Sequence, residues 1–444
     1  MKHDTENGSY KPHSLAVQAV DDRTVRFSLD EPCYAAAALL ALPPFAPVPE
    51  GIVGDVDGYS GRVSYREFQT NPVGTGPFEL ESWTRDAEVV LSRFADYYGQ
   101  APDLDRVRWK LFGTDETAAY QYGQAGNADL QTIPSDRYDP GKIQVARTDD
   151  RGRTLGTYGP MANGETVSYV SAPLISTFYV GLNMANVETP ARQAMLYVAN
   201  QRAIVDDVLD GRGFPAYFFT PPGIFPGGGS SYARRAQADY PYGHDTTRLD
   251  RAKQVMEDAG YADSNRYEFT FSFYASSSYW EQVGRRLRDK LASAHVELKL
   301  ESLPFATLLS RGRTGKLDAY TLGWLADYPG PENFLQNLYP PETDTDQEGG
   351  ARGAYLDWAG TSSSTDATRA WQRIETNMGT GSSARQTRES AVLAMEEAAW
   401  TDAVFLPVYH RIDERFASDG VDVPPFGDLG STYQQYADVV KHGP

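Results

Sequence analysis

Side chains able to do chemistry are plentiful in this 444-residue chain, but few are spaced for it. The six histidines, His3, His13, His244, His295, His410 and His442, form no HExxH and no pair at metal-ligand spacing. There is no GxSxG elbow and no phosphate-binding GxxxxGK[ST], and Gly379-Thr-Gly381 follows a helix-like run where a dinucleotide loop would follow a strand. Cys33, the single cysteine, sits in DEPCY with no partner base and reads as a small packed side chain. His410, on the apolar run VFLPVYHRI, reads as a hydrogen-bonded structural histidine. No catalytic residue, metal site or cofactor is expected.

One carboxylate stands apart. GWLADYPGPENFLQNLY (323–339) follows the alternating run DAYTLGW, and sets Asp327 between Trp324 and Tyr328 ahead of Pro329, Gly330 and Pro331. An acid in an aromatic mouth favours a ligand that brings a cation, because a partly desolvated charge is costly unless paired. The indole and phenol offer apolar wall and cation–π faces worth about 0.5–2 kcal/mol. The prolines pre-order the loop. Alternatively, Asp327 caps the NFLQNLY helix or a turn.

The surrounding elements must position that loop. LAVQAV and TVRFSL read as a hairpin, AEVVLSRF and RVRWKLF as strands, ISTFYVGLNM as a strong strand, and 212–246 as an irregular aromatic loop. TPARQAMLYVANQRAIVDDVLDG (189–211) predicts one helix with Thr189 as N-cap, Pro190 at its first position and Gly211 just past its end. From 249 onward helix and strand alternate through YEFTFSFY, VELKLESL and DAYTLGW, which predicts an α/β layer with a largely parallel sheet. TSSST and GTGSS read as short polar loops.

Composition bounds the rest. The length predicts two or three domains. The formal charge of −19 excludes nucleic acid as an expected partner, since phosphate binding needs clustered bases. Nine Lys stand against 32 Arg and 37 Asp against 23 Glu, a pattern that reads as a halophile's acidic surface. No apolar run approaches a membrane span, and the polar opening MKHDTENGSYKPH reads as no signal peptide, so composition alone points to a soluble cytoplasmic chain. The 28 Tyr, 19 Phe and 7 Trp, many in loops, suit a cleft that grips apolar parts of a ligand.

Three stretches in order resemble one family. NPVGTGPFELESW with VVLSRFADYYGQAPDLDRVRWKLF, then PARQAMLYVANQRAIVDDVLDGRGFPAYFFTPPG, then GWLADYPGPENFLQNLY, are similar to the solute-binding proteins of peptide-type ABC transporters, family 5. Asn200 stands where an Asp is common, and Tyr98 where a Trp is common. The resemblance implies a two-lobed α/β fold of the periplasmic-binding-protein type II, with ISTFYVGLNM and VFLPVYHRI as hinge strands. It divides the chain into 1–70, a remnant of an accessory subdomain; 71–180, the first lobe; 181–407, the second lobe; and 408–444, a return to the first lobe with the tail. Family members carry a longer opening section and an export signal, so the resemblance implies a chain incomplete at its N-terminus whose intact form works outside the membrane.

By the same resemblance, Asp327 matches the acid that pairs with a peptide's α-ammonium group. The candidate ligand-binding set is Asp327, Trp324 and Tyr328 with Tyr274 and Phe225. Dipeptide-selective members place an arginine early in the helix after the YEFTFSFY-type strand; here SSSYWEQVGRR has no base before Arg285, which weakens a strict dipeptide reading. The implied function is capture of peptides by a monomeric, non-enzymatic binding protein that delivers them to a membrane permease. Oligosaccharide, nickel chelate or another solute is the alternative, followed by a hydrolase or a non-functional fragment.

Overall fold

Runs of β-branched and aromatic residues build one large mixed sheet in the chain, seen in a computed structural model that describes residues 17–49, 51–52, 62–113, 115–149, 152–275, 277–427, 429 and 435–442. His3, His13 and the opening stretch 1–13 lie outside the described residues, as does the start of LAVQAV. Eight strands follow one another across the sheet: Val296–Leu303, Tyr267–Tyr274, Ala319–Leu325, Ser176–Leu182, Phe405–Ala417, Val167–Pro173, Thr154–Tyr158 and Ile143–Thr148. Gly213–Pro215 and Leu130–Gln131 pair onto Phe405–Ala417. A separate three-stranded sheet holds Phe78–Thr84, Glu88–Arg93 and Arg106–Lys110, and the expected hairpin is Val17–Asp21 with Thr24–Phe27.

The expected parallel sheet is confined to three strands. Tyr267–Tyr274 runs parallel to both neighbours, whereas Ala319–Leu325 pairs antiparallel with Ser176–Leu182, which pairs antiparallel with Phe405–Ala417. The reason is connectivity: only the 267–325 segment alternates strand with crossover helix, and strands delivered from outside it arrive in the opposite direction.

The two crossovers within that segment lie on opposite faces. Helix Ser278–Leu291 sends Trp280, Val283 and Leu287 into a cluster with Phe269, Phe271 and Phe273, while Leu308 of helix Phe305–Arg313 joins Tyr320, Phe334 and Trp358 in another. Alternation along Ser176–Leu182 puts Val180 and Leu182 in the first cluster and Tyr179 in the second. Burying each such large side chain contributes about 1.5–3 kcal/mol. Because 267–274 is followed by a crossover to each side in turn, strand order reverses beside it, and the carboxyl ends of 267–274 and 319–325 meet at the switch point, where the ligand crevice of an open α/β sheet is expected.

Three local readings are corrected. The 189–211 helix is two, Thr189–Val198 and Gln201–Val208, because Ala199 and Asn200 are extended and the Asn200 side chain caps the second by accepting from Ala203 N at 2.9 Å. Glu188, not Thr189, holds the first N-cap position, while Gly211 adopts φ +75° past the end as expected. The irregular loop 212–246 contains helix Gly228–Asp239, whose Tyr232 and Ala236 are buried one turn apart behind a Gly/Pro-rich approach. TSSST opens helix Ser362–Glu375 through a capping box in which Thr361 and Ser364 bond each other's backbone N–H, and the serines of GTGSS begin helix Ser382–Thr401.

Candidate ligand-binding site

Strand Ala319–Leu325 delivers the acid. Its last residue pairs with Ser176, and Ala326 N then donates to Ile175 O at 2.9 Å, which carries the chain off the sheet end into the crevice. Asn333, 2% exposed, organises the turn that follows. Its Oδ1 accepts from Asp327 N at 3.0 Å and from Trp324 Nε1 at 3.2 Å, and its Nδ2 donates to Asp327 Oδ2 at 3.1 Å. The chain returns through Gly330 into the short helix Pro331–Leu335, where Pro331 occupies the first turn.

Asp327 itself stays exposed, and among the described residues Oδ1 has no hydrogen-bond partner and no Lys, Arg or His pairs with the carboxylate. Asp327 does not cap the helix, whose N-cap position is Gly330 and has no side-chain cap. The result is an oriented anion with one oxygen free to accept from a ligand.

Trp324 and Tyr328 flank it, both half-buried. Burial, followed by the nearby Glu332 carboxylate, pushes the Tyr328 phenol well above its ordinary range, so it stays a neutral hydrogen-bond group. Tyr274 ends its strand half-buried, edge-on to Phe305 at 5.8 Å. Phe225 is corrected to core: it is 3% exposed and packed on Phe218 at 4.5 Å and Tyr232 at 5.2 Å, because the 228–239 helix folds back over it.

Aromatics that the sequence reading missed line the same end of the sheet. The Phe178 ring lies across Gly323, where a Cβ would come within 2.5 Å of it, and stacks on Tyr409 at 4.7 Å and 12°. The Tyr409 and Tyr279 hydroxyls are 2.7 Å apart. The available signal was Gly323 itself, a glycine inside a strand marking close approach of a large group. Arg285 is exposed and paired with Glu281 at 2.6 Å, and Tyr279 occupies the start of its helix.

Behind the crevice lie two buried groups, one tying the 217–222 loop to helix Ser382–Thr401 and the other tying helix Gly228–Asp239 to the sheet. Glu396, fully buried, accepts from Thr220 N at 2.7 Å and Phe219 N at 2.9 Å, and burial raises its carboxyl to about 7. His410 lies 2.8 Å from Ser176 O through Nδ1 and 2.8 Å from the Tyr232 hydroxyl through Nε2; burial lowers it to about 4, so the ring is neutral and structural.

A mixed sheet with crossovers on both faces, and an exposed acid between two half-buried aromatics at its strand ends, has the architecture of a periplasmic-type solute-binding protein, type II. The chain belongs to the bacterial extracellular solute-binding proteins, family 5, whose "Middle" description its residues 1–346 match. It is 24% identical over 354 residues to the dipeptide-binding protein of Escherichia coli K12, covering 76% of this chain and 59% of that protein. It is 25% identical over 349 residues to heme-binding protein A of Haemophilus influenzae, covering 76% and 58%. In fold it is similar to the ABC transporter substrate-binding protein CtaP of Listeria monocytogenes, with a TM-score of 0.73 at 20% identity over 96% of this chain and 77% of that one. The chain thus spans rather more than half the length of these curated relatives.

Proposed function

We propose that this chain belongs to the substrate-binding component of an ABC importer, working outside the cytoplasmic membrane as a monomer. It captures peptides or related solutes with a free amino group and passes them to a membrane permease without catalysing a reaction. The observation that carries the reading is the exposed Asp327 carboxylate, held in place by buried Asn333 at the carboxyl ends of the parallel strands. The half-buried Trp324 and Tyr328 beside it offer apolar faces to side chains of varied shape, as suits a peptide binder, and the names of the peptide-binding relatives support the same reading. The lobes are proposed as residues 71–180 with 408–444, and 181–407, moving about the paired strands Ser176–Leu182 and Phe405–Ala417.

Calorimetry with trialanine and N-acetyl-trialanine tests the anchor. Acetylation removes the ammonium charge, so the blocked peptide binds at least tenfold more weakly, and Asp327→Asn abolishes the difference. Equal affinity for the two peptides in the wild type would sink the amine reading. The half-buried Phe178 ring and the name of heme-binding protein A support a second reading, a flat hydrophobic solute in the same crevice. It predicts haem binding that is indifferent to Asp327→Asn.

A further inference from the structure

Tyr34 reaches the ligand-anchoring turn from 298 positions away in the chain. Its hydroxyl donates to Glu332 Oε2 at 2.6 Å, and its backbone N–H donates to Met378 O at 2.8 Å. The Arg388 guanidinium lies 4.0 Å over the Tyr34 ring and is itself buried, donating through Nη1 to the carbonyls of Asn377 and Gly379. Pro32 lies against Gly379. The stretch that leads into helix Ala36–Leu40 is therefore held at Pro32 and Tyr34 against Glu332, Met378, Gly379 and Arg388.

What it holds is a buried carboxyl group. Glu332 is 6% exposed, and its Oε1, pressed against Gly330 where a Cβ would approach to 2.4 Å, has no hydrogen-bond partner among the described residues. The Tyr328 phenol also faces Glu332, and a buried carboxyl group that loses one of its two hydroxyl neighbours is less stable in place. Glu332 and Asn333 are successive residues of the same short helix, and Asn333 is the residue that orients Asp327.

On the reading of Asp327 as the ligand anchor, we propose that Tyr34 is a positioning residue: 32–40 lies as a strap over the 327–333 turn, and the Tyr34 hydroxyl pins Glu332 so that Asn333 keeps Asp327 facing the crevice. Release of the strap loosens the anchor and speeds ligand exit. Tyr34 needs no contact with the ligand to do this.

Amide hydrogen exchange of the ligand-free chain, read on a peptide covering 324–335, tests this with Tyr34→Phe, Glu332→Gln and the double variant. Tyr34→Phe keeps the ring over Arg388 and removes only the hydroxyl, so exchange in 324–335 rises about tenfold while 267–274 is unchanged. Glu332→Gln in the Tyr34→Phe background restores most of the protection, because the uncharged amide does not depend on the lost donor. Trialanine dissociation quickens in Tyr34→Phe and slows again in the double variant. Unchanged exchange in Tyr34→Phe, loss of protection extending to 267–274, or a double variant no better protected than Tyr34→Phe would each overturn the proposal. Should the acetylation test fail, the exchange contrast still decides the role of Tyr34.

Discussion

Asn333 grips Asp327 at two points, accepting from its backbone N–H at 3.0 Å and donating to its carboxylate at 3.1 Å. A single buried amide thereby sets both the direction of the turn and the direction of the charge. Asn333→Ala removes both bonds and the Trp324 indole contact. Stability should fall by about 1–3 kcal/mol, and affinity for trialanine by roughly tenfold or more, about 1.4 kcal/mol. Urea unfolding and calorimetry measure the two losses; an unchanged affinity would remove Asn333 from the site.

Gly323 lets the Phe178 ring lie flat over the strand. A methyl group there meets the ring at 2.5 Å, so Gly323→Ala should cost about 1–3 kcal/mol by forced displacement and disturb the stack on Tyr409. Phe178→Ala in the same chain should recover part of the stability, since the clash disappears. Thermal unfolding of the two single variants and the double variant checks this through its non-additivity.

Glu396 and His410 make stability depend on pH in opposite senses. Glu396 is raised to about 7 in the folded chain from an ordinary value of 4.5, so its stabilising contribution is complete below 4.5 and is lost as pH rises through 7. His410 is lowered to about 4 from 6.5, so its contribution is complete above 6.5 and is lost as pH falls through 4. Each span corresponds to a few kcal/mol at most. Denaturant titrations from pH 4 to 8 should show Glu396→Gln flattening the alkaline limb and His410→Gln flattening the acidic limb. If Glu396→Gln retains the wild-type slope between pH 5 and 8, that carboxyl is not the group titrating.

The acidic surface leads to a proposal about salt. With a net charge of −19, self-repulsion should weaken as the screening length falls from about 10 Å at 0.1 M to about 3 Å at 1 M salt. Exposed pairs such as Arg285 with Glu281 contribute little either way. The melting temperature should rise by several degrees between 0.1 and 2 M KCl in scanning calorimetry; a flat or falling value argues against adaptation to concentrated salt.

Much of this molecule was legible residue by residue. Strand 319–325 and the turn beyond it follow from alternation ending at an aromatic and from Pro329-Gly330-Pro331 stiffening what comes next. The structural status of His410 followed from its apolar strand context. Helix Gly228–Asp239 was hidden because its Gly/Pro-rich approach dominates the local composition, and the break at Asn200 was hidden because helical spacing continues across it.

The sequence by itself determined the types of the main strands and helices outside 212–246, the order of the family motifs and the placing of Asp327 in an aromatic turn, since these depend on neighbours within a few residues. Only the tertiary structure decided that Phe225 is core, that Phe178, Tyr279 and Tyr409 meet at one end of the sheet, and that Tyr34 rests on Glu332. Those outcomes depend on pairs such as Phe178 with Tyr409 or Tyr34 with Glu332, brought together by sheet order and crossover direction. No local propensity encodes which distant side chain will meet which.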